Sequence, residues 1–410
     1  MNGIRNRWFS LNLESALKVL PVTVVTGARQ TGKTTLVKRL GAKRSFFTLD
    51  DVGVLDQAER NPDSLLDSRP VTLDEVQRAP QLLLAVKRAV DEHRRAGDFV
   101  LTGSANLLLM DRVADTLAGR AIYLELPPFC PTEWSQRKGA LEPIDRLFAP
   151  DFDLGDWPDK KGHWQRWLLR GGFPPALAIE SDRDRGLWFS AYVQTYLERD
   201  LRQLSDVASL PDFQRLMALA ANRTGKLLNQ ADLARDAALS HPTAHRYLNL
   251  LETGCLITRI RPLTANPSSS IVKAPKLLWS DCGLAAWLAG IRSAEEIAKR
   301  LDSGFWLEQT IYQTLQSWRA LDPTSRRIHY WRDRAGHEVD FILEQDGKLV
   351  AVEIKASHQV NMSDATGIQT LKSVLTRKQS LVRGVVLHAG KARPLDKDVY
   401  ALPWGWVVED

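Results

Sequence analysis

Three groups of residues in this 410-residue chain have the types and spacing to do chemistry. The first, Gly27-Ala28-Arg29-Gln30-Thr31-Gly32-Lys33-Thr34, fits the phosphate-binding pattern G-x-x-x-x-G-K-[ST] at every fixed position. Its glycines let the backbone curl with N–H groups pointing inward, an anion nest for nucleotide phosphates. Lys33 adds a mobile charge for the β- and γ-phosphates, and the Thr34 hydroxyl is placed to hold Mg²⁺; Thr35 belongs with the same nucleotide-binding residues. The apolar run Val22-Thr23-Val24-Val25 reads as a buried strand entering the loop, and Thr34 to Leu40 as the helix leaving it. A helix N-terminus there adds partial positive charge. The bland alternative, a glycine-rich turn that binds nothing, does not explain strand, loop and helix together. The expected ligand is ATP.

The second group is Asp74-Glu75, two acids ending the short run Val71-Thr72-Leu73. In nucleotide hydrolases the first acid holds the Mg²⁺ shell and the second polarises the attacking water, so Asp74 is expected at the metal and Glu75 in catalysis. Alone such a pair marks a solvated strand end; downstream of a matched phosphate loop it carries weight. Phe99 to Thr102, continuing into Gly103-Ser104-Ala105-Asn106, reads as a further strand able to lie between the first two. Ser104 or Asn106 would sense the γ-phosphate there, and a helix cap at Ser104 is the plain alternative. Arg120, just before the strand Ile122 to Leu126, is a candidate arginine finger, in cis or from a neighbouring subunit. A surface arginine is the commoner fate of such a residue.

The third group lies near the other end of the chain. Asp346-Gly347 between two apolar runs signals a two-residue hairpin turn, and with that turn paired residues sum to 693. Asp340 then faces Glu353, and Glu338 faces Lys355, about 5 Å apart on one face of the sheet. Two acids and a lysine on adjacent strands suit metal-dependent phosphodiester cleavage. The carboxylates would hold Mg²⁺ or Mn²⁺ and the lysine would orient or activate water. The arrangement resembles the PD-(D/E)xK nuclease superfamily, with Asp340 and Glu353-Ile354-Lys355 at the motif positions, although no proline precedes Asp340. That resemblance places a metal-binding acid at Glu308 on a preceding helix and a supporting glutamine at Gln369 on a later one. The alternatives are ordinary cross-strand salt bridges, or a fold that holds DNA without cutting it.

These groups must be positioned by several elements. At this length two or three domains are expected, and 44% apolar with 25% charged residues fits a globular protein. The formal charge of +6 permits a polyanion partner without requiring one. Three scattered cysteines, no signal-peptide core and no apolar run near the ~20 residues of a membrane span point to the cytosol. None of the eight histidines suggests a zinc site.

Trp134 to Lys160 reads as a connector rich in Pro, Asp and Gly. Leu187 to Leu204 reads as one amphipathic helix carrying Arg199. Leu227 to Arg261 has the layout of a winged helix-turn-helix. Asn229 would cap Gln230 to Ala237, a second helix would begin at Ser240-His241-Pro242, and Thr243, His245 and Arg246 would face a DNA groove. Six Lys/Arg against three Asp/Glu between Arg223 and Arg261, a net of +3, is thin for a dedicated DNA reader.

The phosphate loop, Asp74 to Pro80 and Leu117-Ala118-Gly119-Arg120 resemble the uncharacterised prokaryotic AAA-type ATPases that carry a C-terminal domain of unknown function. The likeness continues through Arg170-Gly171-Gly172-Phe173-Pro174, Tyr196 to Leu201, and Trp279-Ser280-Asp281-Cys282-Gly283-Leu284. It implies an α/β protein in three parts: a P-loop AAA-type ATPase domain (1–135), a helical and winged-helix middle (136–265), and a restriction-endonuclease-like domain (266–410). The partners expected from these residues are ATP with Mg²⁺ and DNA, with a homo-oligomer if Arg120 acts in trans, and no membrane.

Overall fold

The computed structural model describes residues 5–41, 43–103, 116–136, 142–157, 162–195, 209–264, 274–375 and 380–408. The chain forms two compact units. One comprises Met1–Pro128 with Tyr192–Ala208 and Leu248–Leu256; the other comprises Phe129–Ala191, Ser209–Tyr247 and Ile257–Asp410.

The first unit is a parallel sheet of five short strands, β1 (Val22–Thr26), β2 (Ser45–Thr48), β3 (Val71–Asp74), β4 (Phe99–Thr102) and β5 (Ala121–Glu125), in the order β2-β3-β4-β1-β5. β4 pairs with both β1 and β3, so it does lie between the loop strand and the acid-bearing strand. β1, β3 and β4 are buried along their whole length, as central strands of a parallel sheet covered on both faces must be. Helix α1 (Phe9–Ala16), α2 (Lys33–Lys38), α3 (Val52–Arg60) and α4 (Leu82–Glu92) belong to the same unit. Leu82, Leu83, Val86 and Val90 recur at helical spacing on α4 and join Val22, Val24, Leu73 and Leu101 in the core.

The second unit begins with the segment read as a connector, and here the structure corrects that reading. Ile144, Leu147, Phe148 and Trp157 are buried. Phe148 stacks on Trp318 with ring centroids 5.8 Å apart, and Arg383 donates to Leu147 O. Loop-like composition hid four large apolar anchors. Then follow α5 (Trp164–Arg170), α6 (Asp182–Thr195), α7 (Leu210–Ala221), α8 (Gln230–Asp236) and α9 (His241–Thr253), of which α6 and α9 contribute residues to both units. Asn229 caps α8 as expected, accepting from Ala231 N and Asp232 N. The strands β6 (Ile257–Ile260) and β7 (Lys276–Trp279) pair antiparallel, and Leu227 bridges to Lys276. That hairpin straddles residue 265, so no boundary between compact bodies falls there.

After α10 (Cys282–Leu288), the 19-residue α11 (Ser303–Leu321) is buried from Trp306 to Trp318. The six-stranded sheet has the order β12-β13-β11-β10-β9-β8, with β8 (Arg326–Arg332), β9 (Glu338–Gln345), β10 (Lys348–Ile354), β11 (Ser380–His388), β12 (Arg393–Asp396) and β13 (Val399–Pro403). β8, β9 and β10 form an antiparallel meander; α12 (Thr366–Val374) then carries the chain over to β11, parallel to β10. The β9–β10 turn is Asp346-Gly347 with φ of 51° and 76°, the positive pair a two-residue hairpin requires. The register runs Lys348↔Gln345 to Val352↔Phe341, the pairing expected from the sequence.

Candidate functional site: the phosphate loop and an acid–lysine centre

The loop Gly27–Thr34 leaves the C-terminal end of β1 and enters α2. Gly27 has φ +133°, and a Cβ there would stand 2.4 Å from Leu126 O, so no other residue fits. Gly32 has φ 96° at the start of α2. Thr31 donates its hydroxyl to Ala28 O at 3.0 Å, closing the loop on itself. Lys33 is buried and folds back, donating Nζ to Gly27 O (3.0 Å) and Ala28 O (2.9 Å). Burial lowers its pKa, against the pull of Glu75. Incoming phosphates offer this desolvated ammonium a stronger acceptor than two carbonyls. Tyr192, near the end of α6, donates to Arg29 O at 3.4 Å.

Asp74 ends β3, buried at 2% exposure, and Thr34 donates its hydroxyl to both carboxylate oxygens at 3.1 and 3.0 Å. The two side chains that would share a Mg²⁺ therefore already meet, and this oxygen set fits that hard cation. Glu75 follows in the left-handed region, φ 59° and ψ 43°, a conformation costly for a residue with a side chain. Two partners hold it there. Its N–H donates to Thr102 Oγ1 at 3.3 Å, and Gln77 Nε2 donates to its carboxylate. Thr102 in turn donates to Asp74, so one hydroxyl on β4 positions both acids.

The sequence gives no sign of Thr102, the last residue of β4, because its partners lie on another strand; Ser104 and Asn106 lie outside the described residues, as does Arg199. Nor does it signal Arg7, whose buried guanidinium donates to Thr31 O at 2.9 Å and Pro127 O at 2.7 Å, strapping the loop to the segment after β5. Arg120 is not brought to the loop. Its carbonyl accepts from Val22 N at the opposite, N-terminal end of β1, and its guanidinium pairs with Asp91 at 2.6 Å. With ~3.3 Å per strand residue, the length of β1 separates it from Gly27, so a role in cis has no support in this arrangement.

In the second unit, Asp340, Glu353 and Lys355 do converge. Asp340 sits near the start of β9, where its Oδ2 accepts from Ile354 N at 2.8 Å and so continues the ladder with a side chain. Lys355 Nζ donates to Glu353 Oε1 at 2.7 Å, while Glu353 Oε2 is buried with no hydrogen-bond partner. A buried carboxylate oxygen left unsatisfied is costly, and it points at a missing proton donor or cation. The pair Asp340 and Glu353 thus fits a divalent ion.

Glu308, on α11, does not complete a three-carboxylate set. Lys276, on β7, ion-pairs with its Oε2 and lies 3.6 Å from Asp340 Oδ1. Among the described residues no cluster of three His, Cys, Asp or Glu side chains is arranged to hold a metal. Burial and the nearby Asp340 push Glu308 and Glu353 well above the ordinary carboxylate range. Burial opposes the charge on Lys276, but Glu308 and Asp340 outweigh it and hold the ammonium protonated. The centre opens on a cleft of about 240 Å³ lined by Lys226, Lys276, Tyr330, Arg332, Glu338 and Asp340, among others. Gln369 is exposed on α12 and lines a small pocket with Gly384 and Val399, to which neither Asp340 nor Glu353 contributes.

A phosphate loop on a five-stranded parallel sheet, with two acids on the strand next but one, defines the class. A family model described as an AAA domain matches residues 20–135, and the N-terminal region is an AAA-type P-loop ATPase domain. Models described as domains of unknown function, DUF8612 and DUF4143, match residues 161–295 and 303–407. Over 405 residues the chain is 30% identical to the uncharacterized protein Mb2031c of Mycobacterium bovis and, equally, to Rv2008c of Mycobacterium tuberculosis. The match covers 98% of this chain and 84% of each relative. The chain belongs to the family of these mycobacterial proteins.

Among solved structures, the Walker-type ATPase PABY2304 of Pyrococcus abyssi aligns at 15% identity over 70% of this chain and 99% of that one, with a TM-score of 0.42. AMPPCP-bound DnaA of Aquifex aeolicus aligns at 17% identity over 58% and 85%, with a TM-score of 0.25. Among the described residues no helix is long and apolar enough to cross a membrane.

Proposed function

We propose that this chain hydrolyses ATP in its first unit and uses the acid–lysine centre of the second to bind DNA and cleave its phosphodiester bonds. In the first unit the backbone N–H groups of Gly27 to Thr34 and the Lys33 ammonium bind the phosphates. Thr34 and Asp74 hold Mg²⁺, and Glu75 takes the proton of the attacking water. Arg120 can act only on a neighbouring copy, after exchanging its surface partner Asp91, so this role requires a homo-oligomer.

In the second unit, the observation that carries the reading is the buried, unsatisfied Glu353 Oε2 on the strand next to Asp340, which itself lines a cleft with Lys226, Lys276 and Arg332. A divalent ion on these carboxylates would supply Lewis-acid stabilisation of phosphoryl charge. Lys355 would orient water, and Lys226 and Arg332 would attract the backbone phosphates that enter the cleft. The succession of α7, α8 and α9 and then the antiparallel pair β6 and β7, with Leu227 bridged to Lys276, supports a winged-helix reading; His245 and Arg246 are exposed on α9 and Thr243 half-buried. They are candidates for contact with duplex DNA.

One observation favours a second reading, a DNA-binding or protein-binding ATPase that does not cut: Glu308 is spent on Lys276. Two measurements test the proposal. Lys33→Ala is expected to abolish ATP turnover, and unchanged turnover would refute the ATPase half. Wild-type chain is expected to bind labelled duplex with an affinity that falls steeply as salt rises. No binding at low salt would refute the DNA half in favour of a protein-interaction switch.

A further inference from the structure

Lys276 belongs to none of these motifs, yet it is buried against two carboxylates. It is 6% exposed, its ammonium pairs with Glu308 and lies 3.6 Å from Asp340 Oδ1, and it sits 5.1 Å from the centroid of the Phe341 ring. It also lines the cleft together with Asp340. A buried ammonium held by two carboxylates from two different elements is a cation in a cation's place. The charges agree. Even with all three carboxylates (Glu308, Asp340, Glu353) ionised, the two ammoniums (Lys276, Lys355) leave the centre at most one negative charge. One divalent ion turns that to one positive charge, and a second would leave three positive charges in a buried site, which desolvation forbids.

We propose that Lys276 is the built-in cation of this centre: it occupies Glu308 and one edge of Asp340, so that the centre takes a single divalent ion, on Asp340 and Glu353. Lys276 is then a positioning residue that also presents positive charge to a phosphate in the cleft. This rests on the nuclease-type reading above for the metal site, but not on cleavage.

The test is Mn²⁺ binding to the full chain without nucleotide, followed by electron paramagnetic resonance, counting the ions that disappear on Glu353→Gln. Wild type is expected to hold one such ion. Glu308→Gln is expected to keep it, since Glu308 is no ligand. Lys276→Met frees Glu308 and is expected to tighten binding about tenfold or more, a gain removed in Lys276→Met/Glu308→Gln. Two Glu353-dependent ions in wild type, loss of the ion in Glu308→Gln, or unchanged or weaker binding in a folded Lys276→Met would each overturn the inference while leaving a metal site intact. The wild-type count and Glu308→Gln decide the matter even if Lys276→Met does not fold. No Glu353-dependent ion in any variant would overturn the metal-site reading itself, and the inference with it.

Discussion

Thr102→Val removes one oxygen from the nucleotide site and keeps the side-chain shape. Thr102 is fully buried, donates to Asp74 and accepts from Glu75 N–H at 3.3 Å. Valine therefore takes one hydroxyl from Asp74, which keeps Thr34, and leaves the Glu75 N–H without that acceptor. A hydrogen bond to a charged group contributes about 1.5–3 kcal/mol, and a buried N–H left unmade costs about 1–3 kcal/mol. Glu75 also holds a left-handed conformation at φ 59°, whose cost of roughly 1–3 kcal/mol is met by those same contacts. Part of the loss falls on stability and part on the placement of the acids at the moment of hydrolysis. With about 2 kcal/mol reaching the chemical step, kcat falls roughly 30-fold. The KM for ATP should move less than about threefold if, as proposed, the loop and Lys33 bind the phosphates and Thr102 does not. Phosphate release at saturating and sub-saturating ATP separates the two constants, and Thr102→Ser, which keeps the hydroxyl, should restore most of the rate. A kcat within twofold of wild type in Thr102→Val, or a loss confined to KM, would refute this role for Thr102.

Other perturbations reach different links. Arg7→Met cuts the strap from Thr31 O to Pro127 O and should raise the Kd for ATP about tenfold by calorimetry, with kcat at saturation held. Gly172→Ala would set a Cβ 1.9 Å from Phe129 O and 2.2 Å from Gln313 Nε2, so urea unfolding of the second unit should lose roughly 3 kcal/mol or more. Asp281, buried as the cap of α10, has its pKa pushed up to about 6 by burial, against its bonds from Gly172 N and Leu284 N. A folded pKa raised above the unfolded value means this carboxyl stabilises fully below about pH 4 and loses that contribution as pH climbs to about 6, on the order of 3 kcal/mol. Asp281→Asn keeps a capping oxygen and should flatten the pH dependence of the melting temperature over that range; an unchanged slope would show that Asp281 is not the group titrating.

Local chemistry made much of this legible. The Asp346-Gly347 turn fixed the β9–β10 register, and with it the meeting of Asp340 and Glu353, because a two-residue hairpin admits one pairing. The loop, Asp74-Glu75 and the strand between them follow from strand-ending motifs for the same reason. What stayed hidden depends on contacts far apart in sequence. Lys276 reads as one charge in the short strand Lys276–Trp279, and only the fold brings it to Glu308 and Asp340. Arg7 reaches carbonyls 24 and 120 residues away. The position of Arg120 at the far end of the sheet depends on strand direction, which its own motif does not encode. Around Phe148 and Trp157 the Pro, Asp and Gly content suggested a loose connector, since composition averages over the few side chains that anchor the segment.

Nicking of supercoiled plasmid by the full chain in Mn²⁺ or Mg²⁺ and ATP tests the central claim most directly. Wild type is expected to convert supercoiled to open-circular DNA, and Glu353→Gln, with its fold verified by circular dichroism, to lose that activity. No nicking by wild type in either metal, or nicking that persists in Glu353→Gln, would contradict the account.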